Sequence, residues 1–322
     1  MSTTLTGRPT ARTSRPRMLR GLTWLVLRQH RTTVACVLAL VVLGSLWIVY
    51  QRGQLIDLLA AAGWPEKSVP LPVVGEGYRN LTSLLTLLPG ILAVFLGAPL
   101  IAADQEQGTA QLVTTQSVTR RRWLVAKLGW CLLITLVACS VLSAVFTWWW
   151  RPYRSVLGDH WMDASVFDTT GPVLPALALF LTAAGFTIGI LLRRVLASML
   201  VTFVFCVAAQ TAWGMYRDLL GTPRTITYPL NGEFPAFLDD AYEVDRWVGS
   251  ADGQLYGWGS CAEATEKATN ACIEELGIVN NVFQYLDYGQ MAAMQWSGAG
   301  ILLAGTVALT AFSLWWASRR PL

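Results

Sequence analysis

The sequence predicts an all-α membrane protein with six transmembrane helices, an N-terminal interfacial amphipathic helix and an extracellular cap between the fifth and sixth spans. Of the 322 residues, 54% are hydrophobic and only 14% are charged, against about 25% charged in ordinary soluble domains. The apolar residues are also gathered in six long runs that contain no Asp, Glu, Lys, Arg or His. So little charge cannot cover the surface of a water-soluble fold.

The six apolar runs are each long enough to cross a bilayer. A helix needs about 20 mostly apolar residues to span about 30 Å of hydrocarbon. The runs cover residues 33–50, 81–103, 128–149, 172–192, 195–216 and 296–317. The alternative, buried core helices of a soluble protein, is disfavoured by six such runs in one short chain. Because lipid cannot satisfy backbone polar groups, the runs are predicted to be helices.

The N-terminal segment divides into two parts. Residues 1–16 form a basic arm rich in Thr, Arg, Ser and Pro, which we expect to be disordered. In residues 17–31, one face of a helix gathers the basic residues within an arc of about 80°. That face consists of Arg17, Arg20, Trp24, Arg28 and Arg31. This pattern favours an amphipathic helix in contact with membrane lipid, although charge that only orients the first span remains an alternative. Residues 32–322 form the predicted six-span domain.

The distribution of charge predicts the orientation. With the N-terminus inside, the inner segments hold 15 of the 24 Lys and Arg residues and only two of the 20 acidic residues, Asp104 and Glu106. Cytoplasmic loops carry an excess of Lys and Arg. We therefore expect a multi-pass protein of the cell membrane with both termini in the cytoplasm.

The longest outer loop, residues 217–295, has a composition of its own. It contains 12 acidic and four basic residues together with Cys261 and Cys272. In an oxidising compartment these two cysteines are expected to form a disulfide, with two free thiols as the alternative. A helix is predicted from Cys261 to Leu276. The sequence does not decide whether this acidic cap gates an exit or only shields the spans.

The sequence lacks the motifs that nucleotide hydrolysis and metal binding require. None of the three lysines lies in a Gly-Lys-Ser/Thr P-loop, so we expect no ATP hydrolysis, no enzymatic activity and no cofactor in this chain. Asp159, His160 and Asp163 outline a conceivable metal site, but solvated loop polarity is the better interpretation, and we expect no metal. Nothing predicts nucleic-acid binding. The absence of ionisable residues from the six runs argues against an ion-coupled cycle.

The inner loop between the second and third spans is the remaining candidate site. It opens with two carboxylates, continues through Gly108 and Thr109 and a Ser/Thr patch, and ends with Arg120, Arg121 and Arg122. A short polar segment held between two spans can transmit force into the membrane. The alternative is a charged loop that only anchors the topology.

Two stretches of this loop, GAPLIAADQEQGT (97–109) and TQSVTRRRW (115–123), resemble the permease subunits of type-2 ABC transporters, in particular those of high-GC Gram-positive bacteria. The segment TWLVLRQHR (23–31) is similar to the interfacial helix of that family, and the C-terminal third is similar as well. The resemblance implies a bacterial plasma membrane protein whose six spans form one half of a dimeric permease.

The resemblance also implies partners. A separate ABC ATPase would bind ATP and Mg and would contact Asp104, Glu106, Gly108, Thr109 and Arg120 to Arg122. The second half would be another copy of this permease or a related half. The expected function is an ABC exporter permease for a lipophilic or amphipathic substrate such as a drug, lipid or peptide. Two alternatives remain: an ion-coupled secondary transporter, and a non-transporting sensor or anchor with an extracellular binding cap.

Overall fold

A computed structural model describes residues 31–67, 76–108 and 119–319 of the chain. The predicted arm 1–16 lies outside the described residues, and so does the predicted interfacial helix except for Arg31. Thr109 also lies outside them. Arg31 is the first residue of a long helix, α1, that continues into the first span.

Six helices of the described ranges are long and apolar enough to cross a membrane, which confirms a multi-pass membrane protein. The first is α1 (Arg31–Ala62). The second combines α2 (Glu76–Leu92), a π-helical turn (Ala93–Gly97) and α3 (Pro99–Glu106). The others are α4 (Arg120–Leu157), α6 (Val173–Leu192), α7 (Val195–Tyr216) and α9 (Met291–Arg319).

Three of these helices are clearly longer than the apolar runs that predicted them. The first, α1, continues 12 residues past Tyr50 and carries Arg52 and Asp57, and α4 continues through Arg151 and Pro152 to Leu157. The last, α9, begins five residues before Trp296. A hydrophobic run marks only the part of a helix that lies in hydrocarbon, whereas backbone hydrogen bonding continues beyond it.

The helix α6 is the centre of the bundle. Most of its residues are buried, and it packs against α4, α9 and the second span. By contrast, α1 and α7 bury few side chains, and Leu196 of α7 is 82% exposed. Apolar surface left outside a membrane bundle faces lipid or another protein chain.

Close approach between α6 and the second span depends on small residues. A Cβ atom at Gly185 would lie 2.6 Å from the backbone oxygen of Ala93 and 3.2 Å from the backbone nitrogen of Ala98. Gly189 lies against the backbone of Ala98 in the same way. The Gly-x-x-x-Gly spacing on α6 therefore brings two helix backbones together at the π-helical turn.

This close approach predicts that Gly185→Ala destabilises the protein. The added methyl group meets backbone atoms that cannot rotate away, and overpacking of this kind costs about 1–3 kcal/mol. Thermal unfolding of the detergent-solubilised protein measures the change. Gly129→Ala in α4 is the control, because apart from its own helix backbone and its two chain neighbours no atom lies within 4 Å of its added Cβ, and alanine at an open helical position stabilises by up to about 1 kcal/mol. Equal effects of the two substitutions would contradict the packing argument.

The segment between the fifth and sixth spans is not a simple helical cap, and the prediction of an all-α chain is wrong here. Residues 224–286 contain four strands: β1 (Arg224–Pro229), β2 (Tyr242–Ser250), β3 (Leu255–Gly257) and β4 (Ile278–Leu286). They form an antiparallel sheet in the order β1-β4-β2-β3. We call residues 221–290 the sheet subdomain. The β-branched and aromatic residues of β1 and β4 are the strand signal that the sequence analysis missed.

Two other predictions for the sheet subdomain hold. Cys261 and Cys272 form a disulfide, as expected. The helix predicted from Cys261 to Leu276 is present but shorter, as α8 (Glu266–Glu275), because the Thr265 side chain accepts a hydrogen bond from the Ala268 N–H and begins the helix there. The disulfide packs with Val248 and Ile278 in a small hydrophobic cluster, so it ties α8 to one face of the sheet.

Candidate functional site

The first candidate site lies where α3 ends, α4 begins and α6 gives way to α7. We call this end of the bundle the loop end, and we call the opposite end, which carries the sheet subdomain, the sheet end. At the loop end, the carboxylate of Asp104 accepts a hydrogen bond from Lys127 Nζ. Lys127 is only 2% exposed, and its Nζ lies 4.9 Å from the centroid of the Trp123 ring. This buried ion pair joins the second span to α4.

Glu106 makes a second connection at the loop end. Its Oε2 accepts a hydrogen bond of 2.8 Å from the backbone N–H of Val195, the first residue of α7. A carboxylate is favourable there because the first N–H groups of a helix have no partner inside the helix and carry partial positive charge. The two carboxylates thus tie the end of α3 to both α4 and α7.

The remaining predicted residues of this loop are placed as follows. Gly108 has a φ of +69°, which ends the helical turn after Glu106. Arg120 is the first residue of α4, and Arg121 and Arg122 in the same first turn are exposed. Two further arginines between α6 and α7 are exposed at the same end, namely Arg193 and Arg194. The loop end therefore presents a basic surface.

A buried carboxylate that the sequence analysis missed lies at the sheet end. Asp168, just before α6, accepts hydrogen bonds from Trp213 Nε1 at 2.7 Å and from the Arg217 guanidinium at 3.2 Å. Burial raises the pKa of Asp168, and the nearby charge of Arg217 opposes that shift. Nothing in the local sequence distinguishes Asp168 from an ordinary loop residue, because its partners follow 45 and 49 residues later.

The segment around His160 is a folded turn. The Asp163 carboxylate accepts from the His160 backbone N–H, and His160 Nδ1 accepts from the Met162 backbone N–H. The His160 ring lies beside Tyr242 of β2, and burial lowers its pKa. In the part of the chain that the structure describes, no group of three His, Cys, Asp or Glu side chains is arranged to hold a metal ion.

A large cavity lies between α4, α6 and α9, in the half of the bundle nearer the sheet end. It has a volume of about 1170 Å³ and mostly apolar walls. Its polar lining is built around the start of α6: Ser143 Oγ donates to the Gly171 carbonyl, and the Gly171 N–H donates to Thr147 Oγ1. Gln295 of α9 donates to the carbonyls of Phe167 and Thr170. These bonds join the three helices along the cavity wall.

These features identify the class of protein. It is a multi-pass helical membrane protein with a basic loop end, a lateral apolar cavity and a folded subdomain between its last two spans. Residues 34–217 match the family described as ABC-2 membrane transporter related. This match covers more than half of the chain, so the chain belongs to that family and is an ABC-2 type permease. Membership implies an ABC ATPase partner. No curated protein and no solved structure matches the sequence significantly.

Proposed function

We propose that this protein is the permease subunit of an ABC exporter that moves a lipophilic or amphipathic substrate across the bacterial cell membrane. A separate ATPase, which binds ATP and Mg, supplies the energy, and a second permease copy completes the pathway. Family membership and the loop-end contacts of Asp104 and Glu106 support this proposal. Those contacts offer a mechanical route, because a movement of the end of α3 is transmitted to α4 through Asp104 and to α7 through Glu106.

The proposed orientation places the loop end and both termini in the cytoplasm. The exposed arginines of the loop end follow the positive-inside rule, and a cytoplasmic ATPase then meets the basic surface. In this orientation the sheet subdomain and its disulfide lie outside, where disulfides persist. The exposed apolar faces of α1 and α7 provide surface for the second permease copy and for lipid.

Charge reversal at the loop end tests the ATPase contact. We expect Arg121→Glu/Arg122→Glu to weaken binding of the co-expressed ATPase more than tenfold and to lower substrate-dependent ATP hydrolysis in reconstituted vesicles. The physical reason is that disrupting close interfacial charge pairs costs about 2–5 kcal/mol when they are buried by a partner. Both arginines are exposed, so the fold itself should tolerate the change. Affinity is measured by titrating the purified ATPase into permease nanodiscs.

The matched control is Arg79→Glu, an exposed arginine at the opposite, sheet end of the second span. This variant should bind the ATPase like the unmodified protein. If the double charge reversal leaves ATPase affinity and coupling unchanged, the loop end is not the ATPase contact. Nucleotide-independent transport driven by an ion gradient would reject the exporter proposal altogether.

A further inference from the structure

We propose that the cavity between α4 and α9 binds an anionic amphiphile, with its headgroup at Arg151 and its alkyl chain along the apolar groove. Describing this ligand as the transported cargo rests on the proposed function. The binding itself does not, because it follows from the charge of the cavity lining, the length of the groove and its mostly apolar walls.

The positive charge of Arg151 favours a ligand with an anionic headgroup. Arg151 is the only charged residue among those that line the cavity, and it is exposed. Within the described ranges, no carboxylate forms a salt bridge with Arg151. Nearby basic residues differ in this respect, since Arg154 pairs with Asp240 and Arg217 pairs with Asp168. A guanidinium beside an apolar groove at the end of a span is suited to a phosphate or carboxylate headgroup.

The length of the groove suits one lipid chain. From Arg151 to Leu136 the cavity follows 15 residues of α4, which is about 22 Å at 1.5 Å per residue. One leaflet of a bilayer has about 15 Å of hydrocarbon and is about 20–22 Å thick with its headgroup layer, which matches a groove that begins at a headgroup-binding guanidinium. Leu136 and Leu303 at the deep end are about 40% exposed, so the groove is open towards the surrounding hydrocarbon. An alkyl chain can therefore enter sideways from the leaflet nearer the sheet end.

Three of the polar side chains in the cavity wall already have hydrogen-bond partners within the protein. Ser143 Oγ donates to Gly171, Thr147 Oγ1 donates to the Ser143 carbonyl, and Gln295 Nε2 donates to Phe167 and Thr170. A sugar-like ligand needs free donors and acceptors along its length, whereas an alkyl chain needs none. Trp148, Trp296 and Tyr288 also line the cavity, and aromatic residues of this kind are common at the level of lipid headgroups.

Photo-crosslinking of the purified full-length protein tests this proposal without any ATPase. The probe is a long-chain alkyl phosphate with a diazirine at the end of its chain, and the comparison probe has a trimethylammonium headgroup on the same chain. In nanodiscs of zwitterionic phosphatidylcholine, we expect the phosphate probe to label α4 near Leu136 and α9 near Leu303. Mass spectrometry locates the labelled peptides. Labelling by the cationic probe should be about tenfold weaker.

Two variants, each with a control, separate the binding of the headgroup from the binding of the alkyl chain. Arg151→Gln should weaken labelling by the phosphate probe about tenfold, because hydrogen bonds to charged groups contribute about that factor or more. Arg79→Gln is its control and should label normally. Ala144→Trp fills the groove with a large side chain and should abolish labelling by both probes. Val141→Trp places the same side chain on α4 outside the cavity lining and should leave labelling intact.

Equal labelling by the two probes, unchanged labelling of Arg151→Gln, or labelling outside the groove would each overturn the proposal. These outcomes are distinguishable from a failure of the proposed function. Correct labelling together with unaltered ATPase coupling in the loop-end charge reversal would keep the binding site and reject the mechanical coupling. Failed labelling together with impaired ATPase coupling in the charge reversal would keep the coupling and reject this ligand.

Discussion

Asp104→Asn is expected to lower the free energy of unfolding by about 3–5 kcal/mol, because it leaves the Lys127 ammonium buried without its counter-charge. The Lys127 side chain is 1% exposed and the Asp104 side chain 13% exposed, so water compensates little. The measurement is chemical or thermal unfolding of the protein in a mild detergent, followed by its tryptophan fluorescence.

A double-mutant cycle separates the ion pair from other effects of the substitution. Asp104→Asn/Lys127→Met removes both charges, and replacing a buried pair by apolar groups is often neutral or stabilising. The double variant should therefore be much closer to the unmodified protein than Asp104→Asn alone. Glu106→Gln is the control at the same end of the bundle, since Glu106 is exposed and its contact with α7 is expected to contribute at most about 1 kcal/mol. Additive effects of the two substitutions would contradict the proposed pairing.

This prediction also affects how loop-end variants are interpreted. Replacement of Asp104 by a basic residue would place two positive charges together in a buried site, so lost activity would report a damaged fold as well as a lost ATPase contact. The exposed Arg121 and Arg122 do not have this difficulty. They are therefore the better residues for testing the ATPase contact.

Arg217→Met is expected to destabilise the protein by about 3–5 kcal/mol at neutral pH. The substitution leaves Asp168 as a buried carboxylate that keeps the hydrogen bond from Trp213 Nε1 but loses its counter-charge. An uncompensated buried charge carries a cost of this size. Methionine keeps an apolar stem of similar length next to Phe167, above which the guanidinium lies in the unmodified protein. Unfolding is measured in detergent across a range of pH.

The pH dependence has a definite sign. Burial raises the pKa of Asp168 in the folded protein, and loss of Arg217 raises that pKa further. The folded state then binds the proton more tightly than the unfolded chain, so stability is greatest below the unfolded value of about 3.9 and is lost as the pH rises through the folded pKa. The destabilisation of Arg217→Met should therefore shrink as the pH falls. In Asp168→Asn/Arg217→Met this pH dependence should be absent.

Arg224→Met is the control for this second prediction. Arg224 pairs with Asp287, and both side chains are largely exposed, so the pair is expected to contribute less than about 1 kcal/mol. A loss for Arg217→Met that is no larger than the loss for Arg224→Met would show that the Asp168 site is not an electrostatic support of the fold.

The carboxylates of Glu106 and Asp168 together explain how α7 is held in the bundle. Most of its side chains are exposed, so it buries little apolar surface within one chain. Its N-terminus is bonded to Glu106, and Trp213 and Arg217 near its C-terminus are bonded to Asp168. A helix fixed at both ends can carry movement from the loop end to the sheet end. In the proposed exporter, this helix connects the ATPase contact to the sheet subdomain.

The six spans were predictable because the hydrophobic requirement of a bilayer is local: about 20 consecutive residues satisfy it without reference to the rest of the chain. The disulfide was predictable for a similar reason, since the only two cysteines of the long loop are 11 residues apart. The resemblance to ABC-2 permeases was carried by a contiguous motif in the inner loop, and the family match confirms the family. In each case the information lies in neighbouring residues.

The four-stranded sheet, the partners of Asp104 and Asp168 and the lateral cavity depend instead on residues far apart in the chain. β1 pairs with β4 across more than 50 residues, and Asp168 meets Arg217 across 49. A carboxylate in a loop sequence is the same whether it is solvated or buried, and only packing reveals its pKa and its partner. Local hydropathy thus determined which six segments can span a membrane, whereas long-range contacts determined which charges are buried and where the lateral cavity lies.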